Sequence, residues 1–142
     1  MGQVVELGAI PPLTEEEIIA FARQWDPQPF HVDPVAAKDS IYGGIIASGW
    51  HTALLTMRLQ VDSLLKQTDA QGSPGLEGIR FRKPVRPGER LAARYTVLAA
   101  EPSASRPTLG KVFARTELLD EAGDPVLQMD AWGLIGRRPP EG

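Results

Sequence analysis

The chain has 142 residues, no cysteine and a formal net charge of −3, with its lysines and arginines scattered rather than grouped. This length predicts one domain with a sizeable core, and the charge pattern argues against nucleic-acid binding. The absence of cysteine excludes disulfide bonds and thiolate chemistry. No basic segment followed by an apolar one opens the chain, and no run of eighteen apolar residues occurs. We therefore expect a cytoplasmic protein without a membrane span.

The first predicted elements are an edge strand at Val4 to Leu7 and a helix that starts after Thr14. Thr14 and Glu17 fit a capping box, in which the hydroxyl accepts from the backbone and the glutamate reaches back. Apolar residues then recur at helical spacing: Ile18, Phe21, Ala22 and Trp25. Pro27 ends this helix. Asp26 therefore lies just past its C-terminus, where the helix dipole disfavours a negative charge.

A carboxylate and an imidazole follow, five residues apart, in the run Asp26-Pro27-Gln28-Pro29-Phe30-His31. Proline fixes its own φ and pushes the preceding residue towards extended conformations, so we expect Asp26 and His31 on an extended elbow. Both residue types act as general acids or bases near neutral pH, which makes them a candidate proton-transfer pair. The residues alone equally allow a structural pair, in which Asp26 caps a turn and His31 binds a backbone carbonyl.

A long helix is predicted from Ser48 to Lys66, after a short helical turn opened by Asp33 or Asp39. Its apolar residues recur at i, i+3, i+4 and i+7, which predicts that the apolar arc is buried over most of the circumference. The narrow polar side consists of Thr52, Thr56, Asp62 and Lys66. His51, beside the apolar stripe, is expected to be a packed, hydrogen-bonded core residue. A metal site of His31, Asp33 and His51 is rejected, because the spacing matches no known ligand pattern.

The second half of the chain predicts an antiparallel meander. Strands with alternating apolar residues are expected at 76–83, 91–99, 111–119 and 126–135. Asp120 to Asp124 is expected to form a hairpin turn, and residues 137–142 a disordered tail. One long apolar helix followed by four strands predicts an α+β architecture, in which an antiparallel sheet covers the helix.

Three motifs resemble those of the MaoC-like dehydratases and (R)-specific enoyl-CoA hydratases. They are the set Asp26, Pro29, His31 and Ala37, the run Ile46-Ala47-Ser48-Gly49-Trp50, and the run Phe81-Arg82-Lys83-Pro84-Val85-Arg86-Pro87-Gly88-Glu89. Their order and spacing agree with this family over residues 14–134. The chain departs from the family pattern at four positions: Trp25, Gln28, Phe30 and Ser48.

This resemblance implies a hot-dog fold over residues 1–136, with an antiparallel sheet wrapped around one long central helix. It also implies a homodimer, or a dimer of dimers, with the substrate tunnel at the subunit boundary. The activity implied is that of a carbon–oxygen lyase of acyl-chain metabolism. It would hydrate a trans-2-enoyl-CoA or dehydrate a 3-hydroxyacyl thioester. The substrate that the resemblance implies is an acyl-CoA or an acyl carrier protein thioester, with no metal and no cofactor expected other than coenzyme A as carrier.

The resemblance also assigns site residues. Asp26 and His31 would hold one water against the β-carbon of the thioester. The N–H of Gly49, at the start of the long helix, would bind the thioester oxygen, since a helix N-terminus has free donors. Residues beside these are expected to bind substrate: Ser48, Trp50, Gln28 and Phe30. In a second reading, compatible with the first, Ser48 caps the helix and Gly49 permits tight packing.

Some alternatives remain open at this point. Arg82, Lys83 and Arg86 could meet the phosphates of coenzyme A, although a solvated strand face is the more frequent role of such residues. A hot-dog thioesterase would need a carboxylate on or near the long helix, and Asp62 is about three turns in, too remote for that role. An acyl-thioester binding module that has lost catalysis needs the tunnel but not Asp26 and His31.

Overall fold

The computed structural model describes residues 2–65, 68, 70–106 and 108–136, and the expected disordered tail at 137–142 lies outside them. In chain order the elements are β1 (Val4–Ile10), α1 (Glu15–Trp25), α2 (Pro29–Val32), α3 (Pro34–Lys38), α4 (Gly49–Ser63), β2 (Gly75–Phe81), β3 (Leu91–Pro102), β4 (Leu109–Leu119) and β5 (Pro125–Gly136). The α+β prediction is confirmed, since one five-stranded antiparallel sheet accompanies one long helix. Over these ranges no helix is long and apolar enough to cross a membrane.

The sheet has the strand order β1-β3-β4-β5-β2, with every neighbouring pair antiparallel. Strands β3, β4 and β5 form the predicted meander, and Asp120 to Asp124 joins the last two of them. The strand predicted at 76–83 is present as β2, but its predicted place in the meander was wrong, because β2 pairs with β5 and places Phe81 opposite Leu127. The free edge of β3 is taken by β1, which is the predicted edge strand extended to Ile10. Alternation along a strand indicates its buried face but not its neighbours, so this order could not be read from the pattern.

Helix α1 begins at the predicted capping box and ends at Asp26. The Thr14 hydroxyl accepts from the backbone N–H of Glu17 at 3.1 Å, and the Glu17 carboxylate accepts from the backbone N–H of Thr14 at 3.2 Å. Ile18 is fully buried on the inner side of the helix. The backbone N–H of Asp26 still donates to Ala22 at 2.8 Å. The Asp26 carboxylate is therefore mounted on the last turn of an anchored helix.

The segment after α1 corrects the expectation of an extended elbow. Gln28 is extended, as the residue before a proline should be, but Pro29–Val32 is helical and contains His31. Proline suits the first helical position because its φ is already near the helical value and its missing N–H would have had no partner. Asp33 then accepts from two backbone N–H groups and caps α3, as expected for one of the two candidate aspartates. Ala37, the small residue of the motif, is fully buried in α3.

Helix α4 turns its threonines inward, which corrects the predicted burial of its apolar arc. Thr52 and Thr56 are buried, whereas three large apolar side chains are exposed in the single chain: Trp50 (56%), Leu54 (57%) and Met57 (43%). The hydroxyls of both threonines donate to backbone carbonyls in the preceding turn, so they enter the interior without an unsatisfied donor. The helix begins as predicted, with Ser48 at its N-cap, but it ends at Ser63 with Leu64 as its C-cap, before the predicted end at Lys66, which itself lies outside the described residues.

We expect Thr14→Ala to lower the free energy of unfolding by about 1 kcal/mol, because the substitution removes the N-cap of the helix that carries Asp26. The measurement is urea unfolding followed by circular dichroism. Thr108→Ala is the matched control, since Thr108 is an exposed turn residue. Equal effects of the two substitutions would contradict a role of the capping box in stability.

Candidate active site

Asp26 and His31 come together at the junction of α1 and α2. Nε2 of the buried His31 ring lies 3.3 Å from Oδ2 of Asp26. The other ring nitrogen, Nδ1, lies 2.7 Å from the backbone oxygen of Ile46. A carbonyl oxygen can only accept, so Nδ1 carries a proton and donates it to Ile46. In the neutral ring, the lone pair is therefore on Nε2, beside the carboxylate.

Both oxygens of the Asp26 carboxylate accept hydrogen bonds from side chains. Nε2 of Gln28 donates to Oδ1 at 2.7 Å, and the Ser48 hydroxyl donates to Oδ2 at 2.7 Å. Partial burial acts to raise the pKa of Asp26, but the hydrogen bonds from Gln28 and Ser48, together with nearby His31, lower that pKa below its ordinary value. Asp26 is consequently an ionised carboxylate at neutral pH.

The N-terminus of α4 lies next to this pair, because Ser48 is both the partner of Asp26 and the N-cap residue. The Ser48 side chain makes no capping hydrogen bond, so the reading of its hydroxyl as a helix cap was wrong. Its backbone carbonyl accepts from His51 and Thr52 and starts the helix. The N–H groups of Gly49 and Trp50 belong to the first turn and have no partner within the helix. A helix end of this kind attracts negative charge.

The Phe81 ring packs directly on Gly49. A Cβ placed on Gly49 would lie 2.5 Å from two carbon atoms of this ring, so any other residue would displace it. The same ring makes an edge contact with the indole of Trp50, with 6.0 Å between ring centroids. The expectation that Gly49 permits tight packing therefore agrees with its contact with Phe81.

The dyad opens into a cleft of about 480 Å³. Its lining includes most of the residues expected to act or to bind substrate: Asp26, Gln28, Phe30, His31, Gly49 and Trp50. Ser48 is the exception, since it is fully buried behind Asp26 and does not line the cleft. Sequence reasoning missed Phe81 and Tyr42 in the lining. Phe81 is the first residue of the third motif, but the resemblance assigned it no substrate contact, whereas no pattern pointed to Tyr42.

The basic residues at the cleft differ in how far their charge is neutralised. Lys83 donates to Asp120 at 3.1 Å and to Asp124 at 2.9 Å. Arg82 donates from Nε to the neutral side chain of Gln128 at 2.8 Å. Arg82 and Lys83 both line the cleft, whereas Arg86 is exposed beside it. The lysine thus serves to tie the β4–β5 turn to the segment after β2.

His51 lies behind the cleft and takes no part in its lining. Its ring stacks on Phe21 with 4.3 Å between centroids, and its Nδ1 is buried without a hydrogen-bond partner. His51 is therefore packed as expected, but the expected hydrogen bond is absent at Nδ1. Across the described ranges, no group of three or more His, Cys, Asp or Glu side chains is arranged to hold a metal ion.

Residues 1–116 match the family described as "MaoC like domain". The chain belongs to this family. The MaoC-like chain is 40% identical to a MaoC-like dehydratase of Rhodospirillum rubrum whose solved structure superposes with a TM-score of 0.89, over 99% of this chain and 94% of that one. It is 30% identical over 102 residues to the uncharacterized protein YdeM of Bacillus subtilis, which is 72% of either chain.

A more distant solved structure is the (R)-hydratase from A. caviae involved in PHA biosynthesis. It superposes on the MaoC-like chain with a TM-score of 0.73 and 22% identity, over 96% of each chain. At this identity the likeness concerns the fold alone. The fold shared by these proteins is the hot-dog fold, as the motifs of the sequence implied.

We expect the MaoC-like chain to lose stability as the pH falls below about 6.5, through His51. Burial lowers the pKa of His51 below the ordinary 6.5, against a smaller opposing effect of Glu17. The unfolded chain then binds a proton more readily than the folded one, so stability is full above pH 6.5 and declines below it. The measurement is the free energy of unfolding at pH 7.5 and pH 5.5.

The control for this prediction is His51→Gln, which retains a polar side chain but does not titrate. We expect a smaller loss of stability between the two pH values in the variant than in the wild type. His31 and the carboxylates are present in both proteins, so their contributions cancel in this comparison. Equal losses would show that protonation of His51 is not coupled to folding.

Proposed function

We propose that this chain is an acyl-thioester hydratase/dehydratase that adds water to a trans-2-enoyl thioester, or removes it from the 3-hydroxyacyl product. The observation that carries the proposal is the pairing of Asp26 and His31 beside the free first turn of α4, within one cleft. Support for the reaction class comes from the MaoC-like dehydratase of Rhodospirillum rubrum, to which this chain is 40% identical. Addition of water involves no net change of oxidation state, so the proposed reaction needs no redox cofactor.

His31 is the proposed base. Its Nδ1–H is committed to the Ile46 carbonyl, which leaves the Nε2 lone pair of the neutral ring as a proton acceptor. An imidazole is a more effective base near neutral pH than a carboxylate whose pKa has been lowered. Nε2 of His31 would take one proton from water as the oxygen bonds to the β-carbon. The imidazolium would then return that proton to the α-carbon, so the protons balance over one turnover.

Asp26 has the complementary role in this proposal. Its ionised carboxylate lies 3.3 Å from Nε2 of His31 and stabilises the imidazolium that forms during water addition. A carboxylate oxygen also accepts the second hydrogen of the attacking water, which orients the water lone pair towards the β-carbon. Asp26 therefore holds water and charge while His31 transfers the proton.

The thioester oxygen gains negative charge as water adds, and it needs donors that are already in position. The first-turn N–H groups of Gly49 and Trp50 are the proposed donors, since neither has a partner within the helix and both residues line the cleft. The positive end of the α4 dipole adds to their effect. Phe30 and Gln28 line the same cleft and are proposed to bind substrate there.

A thioesterase is the less favoured activity. Hydrolysis would require a carboxylate to activate water at the thioester carbon, close to the helix N-terminus. Asp62 is paired with Arg58 at 2.7 Å and does not line the cleft. In the described part of the chain, Asp26 is the only carboxylate that does so.

We expect Asp26→Asn and His31→Ala each to lower the turnover of crotonyl-CoA by roughly 10²–10⁴-fold, the scale of one general acid or base. Hydration is followed by the loss of enoyl-thioester absorbance. Asp62→Asn is the matched control, because it makes the same carboxylate-to-amide change outside the cleft. We expect this control to retain wild-type turnover.

The same assay separates the alternatives. Near-complete activity in either dyad variant would remove the dyad from the account. Release of free thiol, detected with a thiol reagent, would identify a thioesterase. Binding of the acyl-CoA without hydration or thiol release, by the wild type and by both variants, would identify a binding module.

We further propose that two copies of this chain associate through the outer side of α4. The exposed apolar side chains of the helix continue onto β2, where Leu76 and Phe81 are 55% and 50% exposed. An apolar surface of this extent is seldom left uncovered in a monomer. Trp50 and Phe81 also line the cleft, so a partner on this surface would help to close it.

We expect light scattering to give about twice the 15.4 kDa mass of one chain at micromolar concentration. Leu54→Asp places a charge at the centre of the exposed side of α4 and should shift the protein to the monomer. The matched control is Leu98→Asp, since Leu98 is an exposed leucine of β3 outside this helix. A monomeric wild type would contradict the association, as would a dimeric Leu54→Asp variant.

A further inference from the structure

Ser48 has a contact pattern that neither the proposed reaction nor the helix explains. The residue is fully buried, although it occupies an N-cap position where a serine hydroxyl normally accepts from the helix backbone. Its hydroxyl instead donates to Oδ2 of Asp26 across 22 positions of sequence. Oδ2 is also the oxygen that lies 3.3 Å from the His31 ring.

We propose that Ser48 is a positioning residue that fixes the Asp26 carboxylate relative to both His31 and the N-terminus of α4. This inference rests on the proposed function. Ser48 does not touch the cleft, so it acts through Asp26 and not on a substrate. It differs in this from Gln28, which holds the other carboxylate oxygen from an exposed position.

Ser48 can fix the position of Asp26 relative to α4 because its own backbone is held in the first turn of that helix. Its carbonyl accepts from the N–H groups of His51 and Thr52 at 3.0 and 3.3 Å, so the residue is locked into the first turn of α4. Its hydroxyl reaches Asp26 at 2.7 Å. The carboxylate is therefore held at a constant separation from the N–H groups of Gly49 and Trp50. In the proposed reaction this is the separation between the water and the thioester oxygen.

The orientation of the carboxylate depends on the same hydrogen bond. A carboxylate can rotate about its bond to Cβ, and its two oxygens are equivalent unless different donors distinguish them. Ser48 selects Oδ2 as the oxygen next to His31, while Gln28 occupies Oδ1. Without the Ser48 hydroxyl, the exposed amide of Gln28 would be the one side-chain donor left to orient the carboxylate. The group would then sample orientations that do not present an oxygen to His31.

The experiment compares Ser48→Ala with Thr56→Val. Both substitutions remove one fully buried hydroxyl at the α4 segment, but the Thr56 hydroxyl donates to Thr52 of its own helix and is remote from Asp26. The first readout is an NMR titration of the Asp26 carboxyl carbon, which needs no turnover. Loss of a donor to the charged form, with burial unchanged, should raise the pKa of Asp26 in Ser48→Ala and leave it unchanged in Thr56→Val.

The second readout is kinetic. We expect Ser48→Ala to lower kcat for crotonyl-CoA roughly 10- to 100-fold, the scale of one hydrogen bond to a charged group, with KM within a few-fold of wild type. Thr56→Val should keep the wild-type kcat.

A second pair of variants, similar to each other in size, separates the loss of the hydroxyl group from the effect of misfolding. Ser48→Thr and Ser48→Val add similar bulk and differ essentially in the hydroxyl group. We expect the threonine variant to keep the lower Asp26 pKa and the higher kcat of the two. An identical Asp26 titration and kcat in this pair, or in Ser48→Ala and Thr56→Val, would overturn the positioning role. If the wild type hydrates no enoyl thioester, the proposed function fails while the titration still decides the role of Ser48.

Discussion

The hydrogen bond between Ser48 and Asp26 joins the end of one helix to the start of another, and the site is built around this junction. Asp26 stands at the C-terminus of α1, where the helix dipole disfavours its charge. The N-terminus of α4 and the Ser48 hydroxyl provide the opposite environment from outside α1. The carboxylate therefore stays ionised despite its partial burial. A charge that is unfavourable within its own helix is stabilised by a helix that starts more than twenty residues later.

The features that could be predicted from the sequence are those that depend on nearby residues. The capping box at Thr14 needs only its neighbour three positions on, and the spacing of Asp26 and His31 needs only one motif. The helical form of α2 was missed because proline was read as a breaker, whereas at the first position it starts a helix. The pairing of β2 with β5 could not be predicted, since it depends on β1 having taken the edge of β3.

The sequence predicted that Asp26 and His31 lie together, but it did not predict all the residues that line the cleft. Phe81 reaches Gly49 only because β2 lies beside β5. This contact could therefore not be predicted without knowing the strand order. The orientation of α4 could not be predicted either. Its buried threonines donate their hydroxyl hydrogens to backbone carbonyls of the same helix, and nothing in the sequence distinguishes them from exposed threonines. Ser48 was expected to bind substrate because it lies beside Gly49, since its hydrogen bond to Asp26, 22 positions away along the chain, could not be seen in the sequence.

The openness of the cleft connects the proposed chemistry with the proposed association. Charge stabilisation by backbone N–H groups is strongest where water is excluded, because a lower dielectric strengthens each interaction. Trp50 and Phe81 form a wall of the cleft and yet are about half exposed in the single chain. Covering these two rings would bury apolar surface and dry the first turn of α4 in the same step. On this view, the exposed side of α4 and the N–H groups proposed to bind the thioester act together. A monomer would retain the Asp26–His31 pair but would lack the dry environment that gives these N–H groups their full effect.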